Sequence, residues 1–118
     1  MRFLSIYKTA ERGVLPTQEE MDRMGKLIAE GMSAGWLIST EGCLPSKLGF
    51  RARTAAGKVT VSDGPFTESK ELVGGFAILQ AASKDEAVAL TKRFLAVAGN
   101  DGECEVRQLY EAPAAVAN

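Results

Sequence analysis

A chain of 118 residues with 46% hydrophobic and 25% charged side chains has the size and composition of one globular domain with its own core. Its formal net charge of −1 argues against direct nucleic-acid binding as the main role, since phosphate contacts need a basic excess, and equally against acidic membranes. The sequence contains no histidine, so any catalysis falls to carboxylates, Lys, Tyr, Cys or a borrowed cofactor, and the usual zinc and haem ligand is missing.

Residues 2–8 alternate Phe3, Ser5 and Tyr7 against Leu4, Ile6 and Lys8, which predicts a strand with apolar groups on both faces, hence a central one. After a connection from Ala10 to Pro16, Thr17 opens a helix with Glu20 placed for a capping box. Its apolar stripe is Met21, Met24, Leu27, Ile28 and Met32, expected in the core, and Gly35 is the expected C-cap. Trp36–Thr40 predicts a second strand, with Trp36 an anchor for the helix. Phe50–Thr54 and Val59–Val61 predict a hairpin around Ala56-Gly57-Lys58. Leu72–Ala82 is the next strand, and Ser83 with Glu86 begins a second helix whose stripe is Ala87, Val88, Leu90, Phe94 and Leu95. Glu103–Glu111 is the last strand. The domain is placed at residues 1–112 with a flexible tail over 113–118.

The order β-α-β-hairpin-β-α-β is that of the ferredoxin-like α+β fold, with an antiparallel sheet and both helices on one face. The other face is left uncovered, and a second copy of the chain is its simplest cover, so a homodimer is expected. No segment approaches the roughly 20 apolar residues of a membrane span, and the N-terminal apolar run is too short for a signal peptide. Cys43 and Cys104 read as small hydrophobes in a reducing compartment, and the protein is read as cytoplasmic.

The unusual piece of sequence is Asp63-Gly64-Pro65-Phe66-Thr67-Glu68-Ser69-Lys70-Glu71. Asp before Gly-Pro is most often a turn residue, and Thr67 is placed to cap a single helical turn through Lys70 and Glu71. A rigid corner would then gather Asp63, Glu68 and Glu71 around Lys70. Crowded carboxylates raise one another's pKa, which is how an acid can act near neutrality. Arg51 and Arg53 share one side of a strand, placed either to hold an anionic ligand or to balance these acids.

In the run from Asp63 to Glu71, in Gly74-Gly75-Phe76, in Ser83-Lys84-Asp85-Glu86-Ala87, and in Phe3, Ile6 and Tyr7, the chain resembles the DGPF subgroup of the YCII-related proteins. The resemblance covers nearly the whole chain. It implies the dimeric α/β-barrel form of the ferredoxin-like fold, an enzyme-like role without a defined reaction, and an association with alternative sigma factors. The wider group's His–Asp pair keeps only an acid here, at Asp63, so a histidine-dependent mechanism is excluded.

Residues and resemblance together predict a small polar or anionic metabolite bound in a cleft beside this loop. Asp63 and Glu68 are the candidate acid–base residues. Tyr7, Arg51, Arg53, Phe66, Lys70 and Glu71 are the candidate ligand contacts, with no metal and no cofactor expected. For Tyr7 the plainer alternative is a core ring with a hydrogen-bonded hydroxyl. From another class, a non-catalytic dimeric module associated with a sigma factor or other transcription regulator also fits the sequence.

Overall fold

The computed structural model describes residues 1–111; the tail expected over 113–118 lies outside them. Strands β1 (Arg2–Thr9), β2 (Leu37–Gly42), β5 (Leu72–Gln80) and β6 (Gly102–Gln108) form one sheet in the order β2-β5-β1-β6. Every neighbour in it is antiparallel, the ferredoxin-like arrangement. Helices α1 (Gln18–Ala34) and α2 (Lys84–Ala98) connect its strands. Between β2 and β5 come a short 3-10 turn at Ser46–Leu48 and the pair β3 (Phe50–Ala55) and β4 (Lys58–Asp63), which forms a separate two-stranded sheet.

Both helices start where the sequence places them. At α1 the Thr17 hydroxyl accepts from the Glu20 amide at 3.1 Å, and the Glu20 carboxylate accepts from the Thr17 amide at 2.9 Å, a complete capping box. At α2 the Ser83 hydroxyl accepts from the Glu86 amide at 3.1 Å, which is one half of the expected box. The Thr17 amide, followed by the Arg12 guanidinium, holds the Glu20 carboxyl below its ordinary value of 4.5. A carboxyl depressed on folding stabilises the native chain fully above its unfolded pKa. That contribution is lost as the pH falls below about 4.5, through the lowered folded value. Glu20→Gln is therefore expected to reduce the drop in thermal midpoint between about pH 7 and about pH 3 that the wild type shows.

The second strand starts one residue later than the sequence pattern places it, because Trp36 packs back onto α1. Gly31 makes room for the ring: a Cβ there would lie 2.7 Å from Trp36 Cη2 and 2.9 Å from Leu37 Cβ. Gly35 turns the chain in the left-handed conformation at φ 85°, as its C-cap role requires. The Arg93 guanidinium sits 5.8 Å over the indole and also pairs with Glu30 of α1.

Phe3, Leu37, Leu79, Ala81 and Ala87 make the core between sheet and helices. The methionine stripe is not all core. Met21 and Met32 are 49% and 50% exposed, and only Leu27 and Gly31 of α1 are buried. The helix stands over a hollow rather than over close-packed side chains. Two strand irregularities shape that hollow: Ile38 is an extra residue in β2, and Gly74 is one in β5, directly after the point where Tyr7 pairs with Gly75.

Candidate functional site

Tyr7 is on the helix side of β1, next to the bulge, and its ring is confined on several sides. Phe94 of α2 meets it edge-on at 5.1 Å and 82°. A Cβ on Gly102 would lie 2.7 Å from Tyr7 Cε1, and one on Gly74 would lie 3.4 Å from Cδ2. Glycine at these two neighbouring-strand positions is what lets a ring as large as tyrosine's lie between the strands' ends. The hydroxyl is buried, and no described residue hydrogen-bonds to it. A buried hydroxyl without a partner costs about 1–3 kcal/mol and is uncommon in a native protein.

Tyr7 lines a cavity of about 580 Å³ between the sheet and the two helices. Ser5, Met24, Leu27, Leu90 and Phe94 supply much of the wall, and Arg12 and Glu20 also border it. The Arg12 guanidinium grips both Glu20 oxygens at 3.2 and 3.3 Å, so the one close charge pair of this wall is internally balanced. The volume is within the 300–1,000 Å³ range typical of small-molecule sites, which are mostly apolar with a few placed polar groups.

The unusual loop forms a corner elsewhere, at the base of the β3–β4 hairpin. Asp63 pairs with Phe50 at the end of β4. The Gly64 amide donates to the Gly49 carbonyl at 2.9 Å, and the Phe66 amide donates to the Ser46 hydroxyl at 3.3 Å. Ser46 in turn donates its amide and its hydroxyl to the two oxygens of Glu11, at 2.6 and 3.1 Å. The Arg51 guanidinium lies 3.9 Å over the Phe66 ring and bonds to Glu68 and Ser69. A second cleft of about 470 Å³ opens here, with Cys43, Ser46, Arg51 and Phe66 on its wall.

The structure divides the predicted site residues. Arg51, Phe66 and Glu68 are brought together at the corner, and Tyr7 lies in the other cavity. Asp63, Arg53, Lys70 and Glu71 are exposed, and none of them joins a salt bridge among the described residues. The gathering of three carboxylates around Lys70 therefore does not form. No helical turn follows Thr67 either; the segment closes as a turn in which the Ser69 amide donates to the Phe66 carbonyl at 3.2 Å. The Glu68 carboxyl is lowered, first by its own backbone amide and then by Arg51. That is the direction opposite to the one a proton donor near neutrality needs. Burial pushes the Cys104 thiol up, and Cys43 is exposed. Sequence reasoning passed over Gly102 and took Gly74 only as part of the family resemblance, although both are glycines where a strand begins or slips.

Sheet, helices and a ligand-sized hollow between them define a small ferredoxin-like α+β domain. The YCII-related domain family matches residues 1–112, and the chain belongs to that family. An uncharacterised protein of Rhizobium meliloti is 35% identical over 78 residues, a match covering 66% of this chain and 63% of that protein. The match thus spans less than two-thirds of that relative's length. Among solved structures, 5-chloro-2-hydroxyhydroquinone dehydrochlorinase from Burkholderia phenoliruptrix, in complex with 2,5-dihydroxybenzoquinone, shares the fold. The similarity has a TM-score of 0.52 at 21% identity and covers 95% of this chain and 96% of that one. No helix among the described residues is long and apolar enough to cross a membrane.

Proposed function

We propose that this protein binds a small, flat, oxygen-bearing molecule in the cavity between sheet and helices, with the Tyr7 hydroxyl as its polar anchor. The observation that carries the reading is that hydroxyl: buried, without a partner, on the wall of a 580 Å³ hollow. A mostly apolar wall with a few hydrogen-bonding groups, of which the Tyr7 hydroxyl is buried without a partner, favours a ring with an oxygen at its edge over a highly charged metabolite. In a reaction that builds negative charge on that oxygen, the same hydrogen bond would stabilise it, an enzyme-like role needing no histidine. The fold shared with a dehydrochlorinase that holds a dihydroxybenzoquinone supports this ligand class. The acid–base chemistry expected of Asp63 and Glu68 takes second place, because the first is exposed and the second is held as a carboxylate by its own backbone amide and by Arg51.

The test is a thermal-shift and calorimetric screen of dihydroxybenzoquinones, hydroquinones and aliphatic acids against the wild type and Tyr7→Phe. A ligand at about 100 times its dissociation constant adds roughly 2.7 kcal/mol to the stability of the wild type. Tyr7→Phe removes the orphan hydroxyl, so the free protein is expected to be equally stable or slightly more so, while a ring ligand binds about tenfold more weakly. Equal binding by both proteins, or preference for the aliphatic acids, would overturn the reading.

A further inference from the structure

Among the described residues, Arg12 is the one cationic side chain that borders the cavity between sheet and helices. Two acidic residues, Glu20 and Glu41, border it as well. Ser5, Ala77 and Thr40 are paired across three strands on the helix side of the sheet, so the next pair, Glu41 with Phe76, faces the opposite way. The Glu41 carboxylate therefore stays outside the hollow. The charge on the cavity's wall is that of Arg12 and Glu20.

These two depend on each other unequally. Glu20 has a second holder: its Oε1 accepts from the Thr17 amide at 2.9 Å, closer than either contact with Arg12, and that bond belongs to the capping box of α1. Glu20 keeps a partner whatever Arg12 does. Arg12 has no other side chain to turn to. Its guanidinium carries five N–H donors, and two of them are used among the described residues, both on Glu20. The side chain is 42% exposed and springs from the connection between β1 and α1, not from a packed strand or helix. An ion pair this exposed is weak and easily exchanged. The planar fork it would free is shaped for an oxyanion.

We propose that Arg12 is the second anchor of the ligand in this cavity, exchanging Glu20 for an ionised oxygen on the ring, and that the ligand is a singly charged acidic ring, a phenolate or an enolate. The inference rests on the Tyr7 reading above and narrows its ligand class. Tyr7 holds an oxygen at one edge of the ring, and Arg12 holds the ionised oxygen at another. A neutral ring would leave Arg12 on Glu20. A multiply charged molecule would set its further charges against apolar side chains with nothing to pair them.

Calorimetric titration with 4-nitrophenol, at a pH where it is the phenolate, and with its neutral methyl ether 4-nitroanisole tests this on the wild type, Arg12→Gln, Glu20→Gln and Tyr7→Phe. The wild type is expected to bind the phenolate about tenfold more tightly than the ether, and Arg12→Gln to lose that preference with its hold on the ether unchanged. Glu20→Gln keeps a residue suited to the capping box and frees the guanidinium, so the phenolate should bind more tightly and the ether as before. Tyr7→Phe should weaken both ligands, which reports on the underlying site separately. Weakening by Tyr7→Phe without a preference for the phenolate, or a preference that survives Arg12→Gln, overturns the role of Arg12 and leaves the Tyr7 site standing. If neither ligand binds, or Tyr7→Phe binds both as the wild type does, the reading of the cavity falls and this inference falls with it. Should Arg12→Gln fail to fold, Glu20→Gln decides: phenolate binding no tighter than that of the wild type refutes the exchange.

Discussion

Gly64→Ala is expected to lower stability by about 3 kcal/mol and to free the corner from the turn at Ser46–Leu48. A Cβ at position 64 would lie 1.8 Å from the Ser46 carbonyl oxygen and 2.7 Å from its carbon. Both are backbone atoms, so no rotamer change relieves the overlap and one chain segment must move. Movement breaks the bond from the Gly64 amide to Gly49 and strains the one from the Phe66 amide to Ser46. Each such bond is worth about 1 kcal/mol net, and misplacing the backbone adds to their loss. Denaturant unfolding at constant slope gives the magnitude, and exchange of the Gly64 and Phe66 amides shows whether the damage starts at the corner. A variant as stable as the wild type would mean that the close approach to Ser46 does not exist in solution.

Phe3→Ala is expected to cost about 3–5 kcal/mol, the range for deleting a buried aromatic side chain. Phe3 is 5% exposed and packs with Leu37, Leu79, Ala81 and Ala87, a short set of buried side chains for a domain of this length. With total stability for such domains near 5–15 kcal/mol, that loss brings the chain close to unfolding at room temperature. Urea titration followed by far-ultraviolet circular dichroism measures it. A cost below about 1 kcal/mol would show that the core has collapsed around the deletion or lies elsewhere.

Local chemistry makes most of the fold legible in the sequence. Thr17 with Glu20 and Ser83 with Glu86 mark helix starts because orphan amides need acceptors there, and Gly35 marks an end because the left-handed conformation suits glycine. Period-two alternation marks β1 as a strand, and the turn at Ala56-Gly57 marks the pairing of β3 with β4. Less legible was everything decided by one element settling on another. Trp36 leaves its strand because Gly31 offers a slot on α1, and no periodicity encodes that pairing. The exposure of Met21 and Met32 follows from a helix held over a hollow, which a helical stripe alone cannot distinguish from a packed core.

The same distinction runs through the site. Charge density drew the reading to Asp63–Glu71, and the corner it predicted does bring Arg51, Phe66 and Glu68 together. Its acids did not converge, because β4 pairing holds Asp63 beside Phe50 while Lys70 and Glu71 face water. Tyr7 was legible as a candidate ligand contact, with a core ring and a satisfied hydroxyl as the plainer alternative. Its hydroxyl has no partner because the bulge at Gly74 and the small residue at Gly102 make space for the ring without supplying an acceptor. Absence of a partner is a three-dimensional property, invisible in a sequence.

The most direct measurement uses the fact that the chain has two tyrosines, Tyr7 in the cavity and Tyr110, which is 99% exposed. Tyrosine ring-labelled protein, titrated with 2,5-dihydroxybenzoquinone and the ring compounds of the screen and followed by NMR, gives one signal for each. If the cavity is the binding site, the Tyr7 signal shifts saturably with Tyr110 unmoved. Saturable binding that leaves Tyr7 in place, or a titration in which no ring compound shifts it, would contradict this reading of the cavity.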